Sequence, residues 1–212
     1  MKTAKMLLMA AGALMILAQT ACKDDADATL TQAERNEAAE VLSGDMVVSA
    51  KASIGGVDKT LLDGGAPCKF RFDKTGDGEM TLSQPDFQVG KMPFPLNFKI
   101  AVTLSPVLSL EKSDFPESGW VRFSGKRGVV SITGQMPDSA VDESAEGDGS
   151  TVTGFVNTKT REIQFQISYA MMTVEVNVPR QAIDPDRVAN YEAEREQYEK
   201  DLEEYKKAHG LQ

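Results

Sequence analysis

Few residues in this chain are of types that do covalent or metal chemistry, and their spacing limits what they could do. Asp73-Lys74-Thr75-Gly76-Asp77-Gly78-Glu79 has an acid at its first and fifth positions and a glycine at its sixth. A calcium-binding loop begins this way, and it ends on a glutamate whose two oxygens close the coordination shell. Here that closing position is Gln84, which has only one carbonyl oxygen, and the flanks alternate like strands. Asp73, Asp77 and Glu79 are thus the residues a divalent cation would use, but the same letters read better as a tight two-glycine turn between strands. Cys68 lies in Pro67-Cys68-Lys69-Phe70-Arg71-Phe72, where it fits a small buried hydrophobe in a strand. A nucleophilic thiol needs a base beside it. The one histidine, His209, stands close to the C-terminus, so neither a Ser-His-Asp nor a Cys-His device has its central member. Zinc needs clustered His and Cys, and a phosphate loop needs glycines between a strand and a helix; neither pattern occurs. Paired carboxylates distant in sequence stay open, but a sugar-cleaving cleft also needs aromatics. The chain has one Trp and four Tyr, three of them in its last segment. The expectation is a non-enzyme without metal or cofactor.

The elements that would position these residues follow from periodicity. Thr31-Gln32-Ala33-Glu34 is a capping box, and Gly44 sits where the helix it starts would stop, so a short helix is expected over 32–43. From Gly44 the period becomes two. Met46, Val48, Ala50, Ala52 and Ile54 alternate with Val47, Ser49, Lys51 and Ser53, and Phe70 and Phe72 with Lys69 and Arg71. Phe94, Leu96, Phe98, Ile100, Val102 and Leu104 form the longest such series; Ile163 to Tyr169 and Met172 to Val178 repeat the pattern. One apolar and one wet face marks antiparallel strands. Further strands are expected at 79–83, 86–90, 107–111, 119–124, 127–135 and 151–157, with hairpin connections at Gly125-Lys126 and Thr158-Lys159-Thr160.

The class is therefore mainly β: an antiparallel barrel, with a β-sandwich as the alternative, between a short N-terminal and a long C-terminal helix. Long alternating strands suit a tilted, coiled wall. Phe70, Phe72, Phe94, Phe98, Phe165 and Met172 would point inward, either filling the core or lining a pocket for a lipophilic ligand. Pro137 to Gly149, rich in acids, Ser and Gly and free of basic residues, reads as a solvated, mobile loop. Asp184-Pro185 opens the last helix, expected to reach about Ala208. Its stripe of Val188, Tyr191, Tyr198, Leu202 and Tyr205 is narrow. It could lie on the barrel through its tyrosines, pair with a partner helix, or stay mostly solvated.

The N-terminus carries an address. Lys2 and Lys5 precede the uncharged run Met6–Ala18, too short to span a bilayer, and Gln19-Thr20-Ala21-Cys22 follows. This resembles a bacterial lipoprotein signal, with Cys22 as the lipidated first residue of the mature chain. The usual leucine three places before the cysteine is here Gln19, with Leu17 further back. A conventional cleaved signal is the other reading. Lys23-Asp24-Asp25 and Asp27 resemble the export tag of Bacteroidetes-type lipoproteins, which implies display on the outer face of the outer membrane. The expected organisation is a signal at 1–21, a tether at 22–30, a β domain with its leading helix at 31–183 and a charged helix at 184–212.

Removing residues 1–21, which hold two lysines and no acid, takes the net charge from −9 to −11. Such a chain repels nucleic acid and anionic lipid, leaving the acyl chains as the expected membrane attachment. With Cys22 lipidated, Cys68 has no disulfide partner. In outline, residues 44 to 178 are similar to the lipocalin/calycin superfamily, although the early Gly-x-Trp of lipocalins is absent and Trp120 lies far downstream. They also resemble small gut-bacterial lipoproteins with calycin-like barrels. Together these imply a surface-anchored, non-enzymatic binding or accessory module. The alternatives are an envelope protein that docks a partner through its last helix, or a binder of a small lipophilic molecule.

Overall fold

The computed structural model describes residues 29–88, 94–171 and 173–211. Helix α1 (Gln32–Leu42) leads into β1 (Gly44–Ile54). β2 (Val57–Asp58), β3 (Ala66–Lys74), β4 (Glu79–Phe87), β5 (Leu96–Ser105), β6 (Trp120–Ser131), β7 (Ser150–Asn157), β8 (Glu162–Tyr169) and β9 (Val174–Ala182) follow, and α2 (Asp186–Ala208) ends the chain. From β3 to β9 each strand pairs antiparallel with the next, and β1 pairs with both β3 and β9. The result is a closed eight-stranded antiparallel barrel with β2 as an extra strand on β1. Gly55 and Gly56, at φ +57° and +78°, make the two-residue turn joining β1 to β2.

Closure depends on β1 serving two neighbours along its length. Gly44–Ala50 match Phe72–Ala66 of β3, and Lys51–Ile54 match Asn177–Val174 of β9. Where β1 lacks backbone pairing to β9, the amide side chain of Gln181 stands in, accepting from Ser49 N and donating to Ser49 O, both at 2.8 Å.

The alternating residues point as their period requires. Met46, Phe70, Phe72, Met80, Leu82, Phe98, Ile100, Phe165, Ile167 and Val176 fill the interior at 0–2 % exposure. The rings meet edge to face, with Phe70–Phe165 at 4.9 Å and Phe72–Phe123 at 5.5 Å. Gly154 is required there, because a Cβ would collide with Phe123 and Phe165. The outer face carries Asp45, Lys69, Arg71, Lys99, Gln164, Gln166, Glu175 and Asn177. Polar outside and apolar inside is the inverse of a membrane-spanning barrel. No described helix is long and apolar enough to cross a membrane.

Helix α1 adds Ala38, Ala39 and Leu42 to the core. Its capping box forms as the sequence implies: Glu34 N donates to Thr31 Oγ1 at 3.2 Å, and Glu34 Oε2 accepts from Thr31 N at 2.8 Å.

Three expectations are corrected. Gly125-Lys126 is not a hairpin; 119–124 and 127–135 are largely one strand, β6, with register breaks against both neighbours. Gly125 and Gly128 permit this, because a Cβ at either would strike Ala101 O or the Phe98 ring. Glycine inside a strand marks a bulge as readily as a turn. Residues 107–111 form turns rather than a strand. The acidic loop before β7 is held against the barrel: Ala101 N donates to Ala140 O, Lys99 Nζ to Pro137 O, Asp142 N to Arg127 O and Arg127 N to Asp148 O.

Candidate functional site

Among the described residues the barrel wall parts between β3 and β4. β3 and β4 pair only from Arg71–Ser83 to Lys74–Met80. Beyond that, Ala66–Phe70 and Gln84–Phe87 have no partners on each other. Pro67 and Pro85 supply no N–H to such a ladder, and Asp86 adopts φ +47° at the register break between Gln84 and Phe87. Asn97 Oδ1 accepts from Asp86 N and holds this bulge in place.

Helix α2 lies over the gap. Its main contacts with strands are to β3 and β1. Near its start Arg187 reaches Ser49 Oγ and forms an ion pair with Glu194 at 2.6 Å. Further along, Tyr198 donates from its hydroxyl to Thr60 O at 2.8 Å. Asp184 Oδ1 accepts from Asp186 N at 2.9 Å, but the helix begins at Asp186 with Pro185 as its N-cap, one residue later than the sequence suggests. The expected Glu196–Lys200 pair is present at 2.9 Å, while Glu203 pairs with Lys206 rather than Lys207. No residue of α2 is fully buried, as its narrow stripe implies.

Between helix and parted strands lies a cleft of about 440 Å³. Its floor is made of small inward residues, Ala50, Ala52, Ala66 and Cys68; Ala50 faces Ala66 across the ladder. Gln84 and Phe87 form one wall, and Tyr191, Arg195, Tyr198 and Leu202 the other. Gln84 is 1 % exposed and accepts a hydrogen bond from the buried Tyr169 hydroxyl; Phe87 stacks on the Tyr169 ring at 5.8 Å.

The electrostatics at the inner end are neutral. Burial pushes the Cys68 thiol up to about 12, against a smaller opposing pull from Arg187. Burial likewise holds the Tyr169 hydroxyl well above its ordinary value and pushes that of Tyr198 up to about 12. The cations at the rim are paired: Arg195 with Glu192 and Glu199 at 3.7 and 3.8 Å, and Lys69 with Asp45 at 3.1 Å.

Of the residues singled out in the sequence, Phe70, Phe72, Phe98 and Phe165 lie in the packed core and do not border the cleft, while Phe94 is half-buried against that core. Met172 and Cys22 lie outside the described residues. Asp73 is held by Arg71 and Asp77 by Arg35, each at 3.0 Å; Arg35 thereby ties the β3–β4 turn to α1. Glu79 offers that turn its backbone carbonyl, which accepts from Thr75 N and Gly76 N. Among the described residues no three His, Cys, Asp or Glu side chains are placed to hold a metal ion. Cys68 is buried, as expected from its strand, but it also forms part of the cleft floor. The helix tyrosines do lie on the barrel. A cluster that sequence reasoning passed over sits on the outer face, where Phe115 stacks on Phe155 at 3.9 Å beside Trp120, and the Arg180 guanidinium covers the Trp120 ring. It anchors the β5–β6 connection.

Fold and site thus define a class: an eight-stranded antiparallel meander barrel, filled inside, with a side cleft under a C-terminal helix. The chain belongs to the family described as domain of unknown function DUF4903, whose model matches residues 22–210. No curated protein and no solved structure matches it.

Proposed function

We propose that the protein is a lipid-anchored module of the bacterial outer membrane, displayed at the cell surface, that binds a small molecule without altering it. The observation that carries this reading is the cleft itself. Elsewhere the interior is filled with Phe, Leu and Ile, whereas Ala50, Ala52, Ala66 and Cys68 leave space beneath α2. Its volume falls in the range of small-molecule sites, on the order of 300–1,000 Å³. Among its described lining residues no nucleophile is paired with a base, which favours binding over covalent chemistry. Attachment is supported by the charged, apolar, Cys22-terminated N-terminus, and by a family match that starts at residue 22. Lys23-Asp24-Asp25 supports surface display. The next-neighbour strand order with a helix at either end supports a calycin-like barrel. The test is native mass spectrometry of the protein taken from its host's membranes. The expected result is a small-molecule adduct on the wild type that is lost in Ala52→Leu, which fills the floor. A bare protein in both would overturn the reading.

A second reading makes α2 the docking element for an envelope protein. It is favoured by the partial exposure of every residue of that helix. Tyr198→Ala combined with Leu202→Ala separates the two. A loss of thermal stability assigns the helix to the barrel, and intact folding with loss of a co-purifying partner assigns it to docking.

A further inference from the structure

Resting on the reading of the cleft as a binding site, we infer that its occupant is an uncharged amphiphile. Its apolar part would lie on the small-residue floor, and a hydrogen-bond-accepting oxygen, an alcohol or carbonyl, would meet the amide of Gln84.

The floor selects for apolar matter. On β1 and β3 the inward pair is Met46–Phe70 lower in the barrel but Ala50–Ala66 at the cleft, so space opens within a single strand pair. The surfaces exposed there are methyl groups and the Cys68 thiol.

Gln84 supplies a polar contact at depth; the Thr60 hydroxyl, also buried in the lining, accepts from Ala52 N. The Gln84 carbonyl already accepts from Tyr169, and Phe87 stacked on the Tyr169 ring fixes that phenol in place. The end of the side chain that still has hydrogens to give is the NH₂ group, in a residue that lines the cleft while only 1 % exposed. It can donate to an oxygen but cannot neutralise a charge.

Charge decides the remainder. Gln84, Tyr169 and Cys68 are neutral at pH 7, so an ion pushed to this depth would be desolvated without a counter-charge from the described residues around it. An anion left at the rim fares no better. Among the described residues there, Arg195 and Lys69 are already paired, and the exposed Asp86 and the Glu199 carboxylate repel it. A cation at the rim would find those carboxylates, but would leave Gln84 unused.

The test is calorimetric titration of the full mature chain at pH 7 with 1-octanol, octanoate and octylammonium, which share one chain and differ in head group. The expected result is saturable one-to-one binding of 1-octanol, with octanoate and octylammonium at least tenfold weaker. Ala52→Leu should weaken 1-octanol at least tenfold while the melting temperature holds. Gln84→Leu should do the same to 1-octanol, and circular dichroism would check its fold; should it unfold, Ala52→Leu still decides whether the site is the cleft. If octanoate or octylammonium binds as tightly as 1-octanol and Ala52→Leu blocks it, the head-group assignment is overturned and the cleft stands as the site. Octanol binding indifferent to Ala52→Leu, or no saturable binding at all, overturns the proposal itself. The native-mass adduct independently decides whether the cleft is a site for anything.

Discussion

Phe165→Ala is the substitution that most sharply separates a filled barrel from an open one. Phe165 is 2 % exposed, and its ring meets Phe70 at 4.9 Å and Phe123 at 5.9 Å. Removing a buried phenylalanine side chain costs about 3–5 kcal/mol, because its transfer free energy is lost and the cavity left behind relaxes only partly. The two ring contacts place this site in the upper half of that range, since each aromatic pair adds about 0.5–1.5 kcal/mol beyond area. About 4 kcal/mol is a large share of a stability of roughly 5–15 kcal/mol. In a chain of this size it corresponds to a fall in Tm of about 8–16 °C. Phe94→Ala is the internal control: half-buried and at the edge of the same cluster, it should cost clearly less. The assay is urea unfolding followed by far-ultraviolet circular dichroism, with the m-value checked for constancy. A Phe165→Ala cost under about 1.5 kcal/mol, or one no larger than that of Phe94→Ala, would refute the packed interior, because a ring lining open space has few contacts to lose.

Tyr198→Phe removes the hydroxyl that ties α2 to Thr60 O, and should cost about 1 kcal/mol with faster amide exchange confined to α2, read by hydrogen-exchange mass spectrometry. Gly154→Ala should destabilise by about 2 kcal/mol or more, since the added methyl meets the buried Phe123 ring and the Phe165 Cβ; a neutral result in thermal unfolding would contradict the register of β7. The Cys68 thiol is held up at about 12 by burial, against an ordinary 9.0. The folded state keeps a proton that the unfolded chain releases, so this stabilisation is complete below pH 9 and is lost as pH rises towards 12. Cys68→Ala should therefore flatten the fall of stability above pH 9, and the wild-type thiol should resist a disulfide reagent at pH 8 until the protein is unfolded. Cys22→Ser should move the chain from the membrane to the soluble fraction and remove the acyl mass; unchanged membrane association would contradict the lipid anchor.

Much of the barrel can be read from the sequence, because a strand with one buried face records it every second residue. The series from Leu96 to Leu104, the Thr31–Glu34 capping box and the two-glycine turn at Asp73–Glu79 are local signals, and each folds as its chemistry dictates; Phe94 falls just before the strand. What misleads is a residue type with two structural uses. Gly125 looks like a turn and serves as a bulge, because the deciding neighbour, Ala101 O, is about two dozen residues away. The acidic loop before β7 looks free until Lys99 and Arg127, on strands it must fold back to meet, supply its partners. The cleft is the least legible feature. Its room comes from Ala50, Ala52, Ala66 and Cys68, which attract no notice singly, and its opening from Pro67 and Pro85, whose effect depends on β3 lying beside β4. The inward aromatics Phe70, Phe72, Phe98 and Phe165 look like a pocket lining but fill the core; the small residues make the floor of the cleft.

The most direct measurement is a crystal structure of the mature chain soaked in 1-octanol. Density is expected between Cys68 and Phe87 beneath Tyr198, with an oxygen at hydrogen-bonding distance from the Gln84 amide. An empty cleft would contradict the side-cleft site, and density between Phe70 and Phe165 in a barrel that has opened would contradict the packed interior as well.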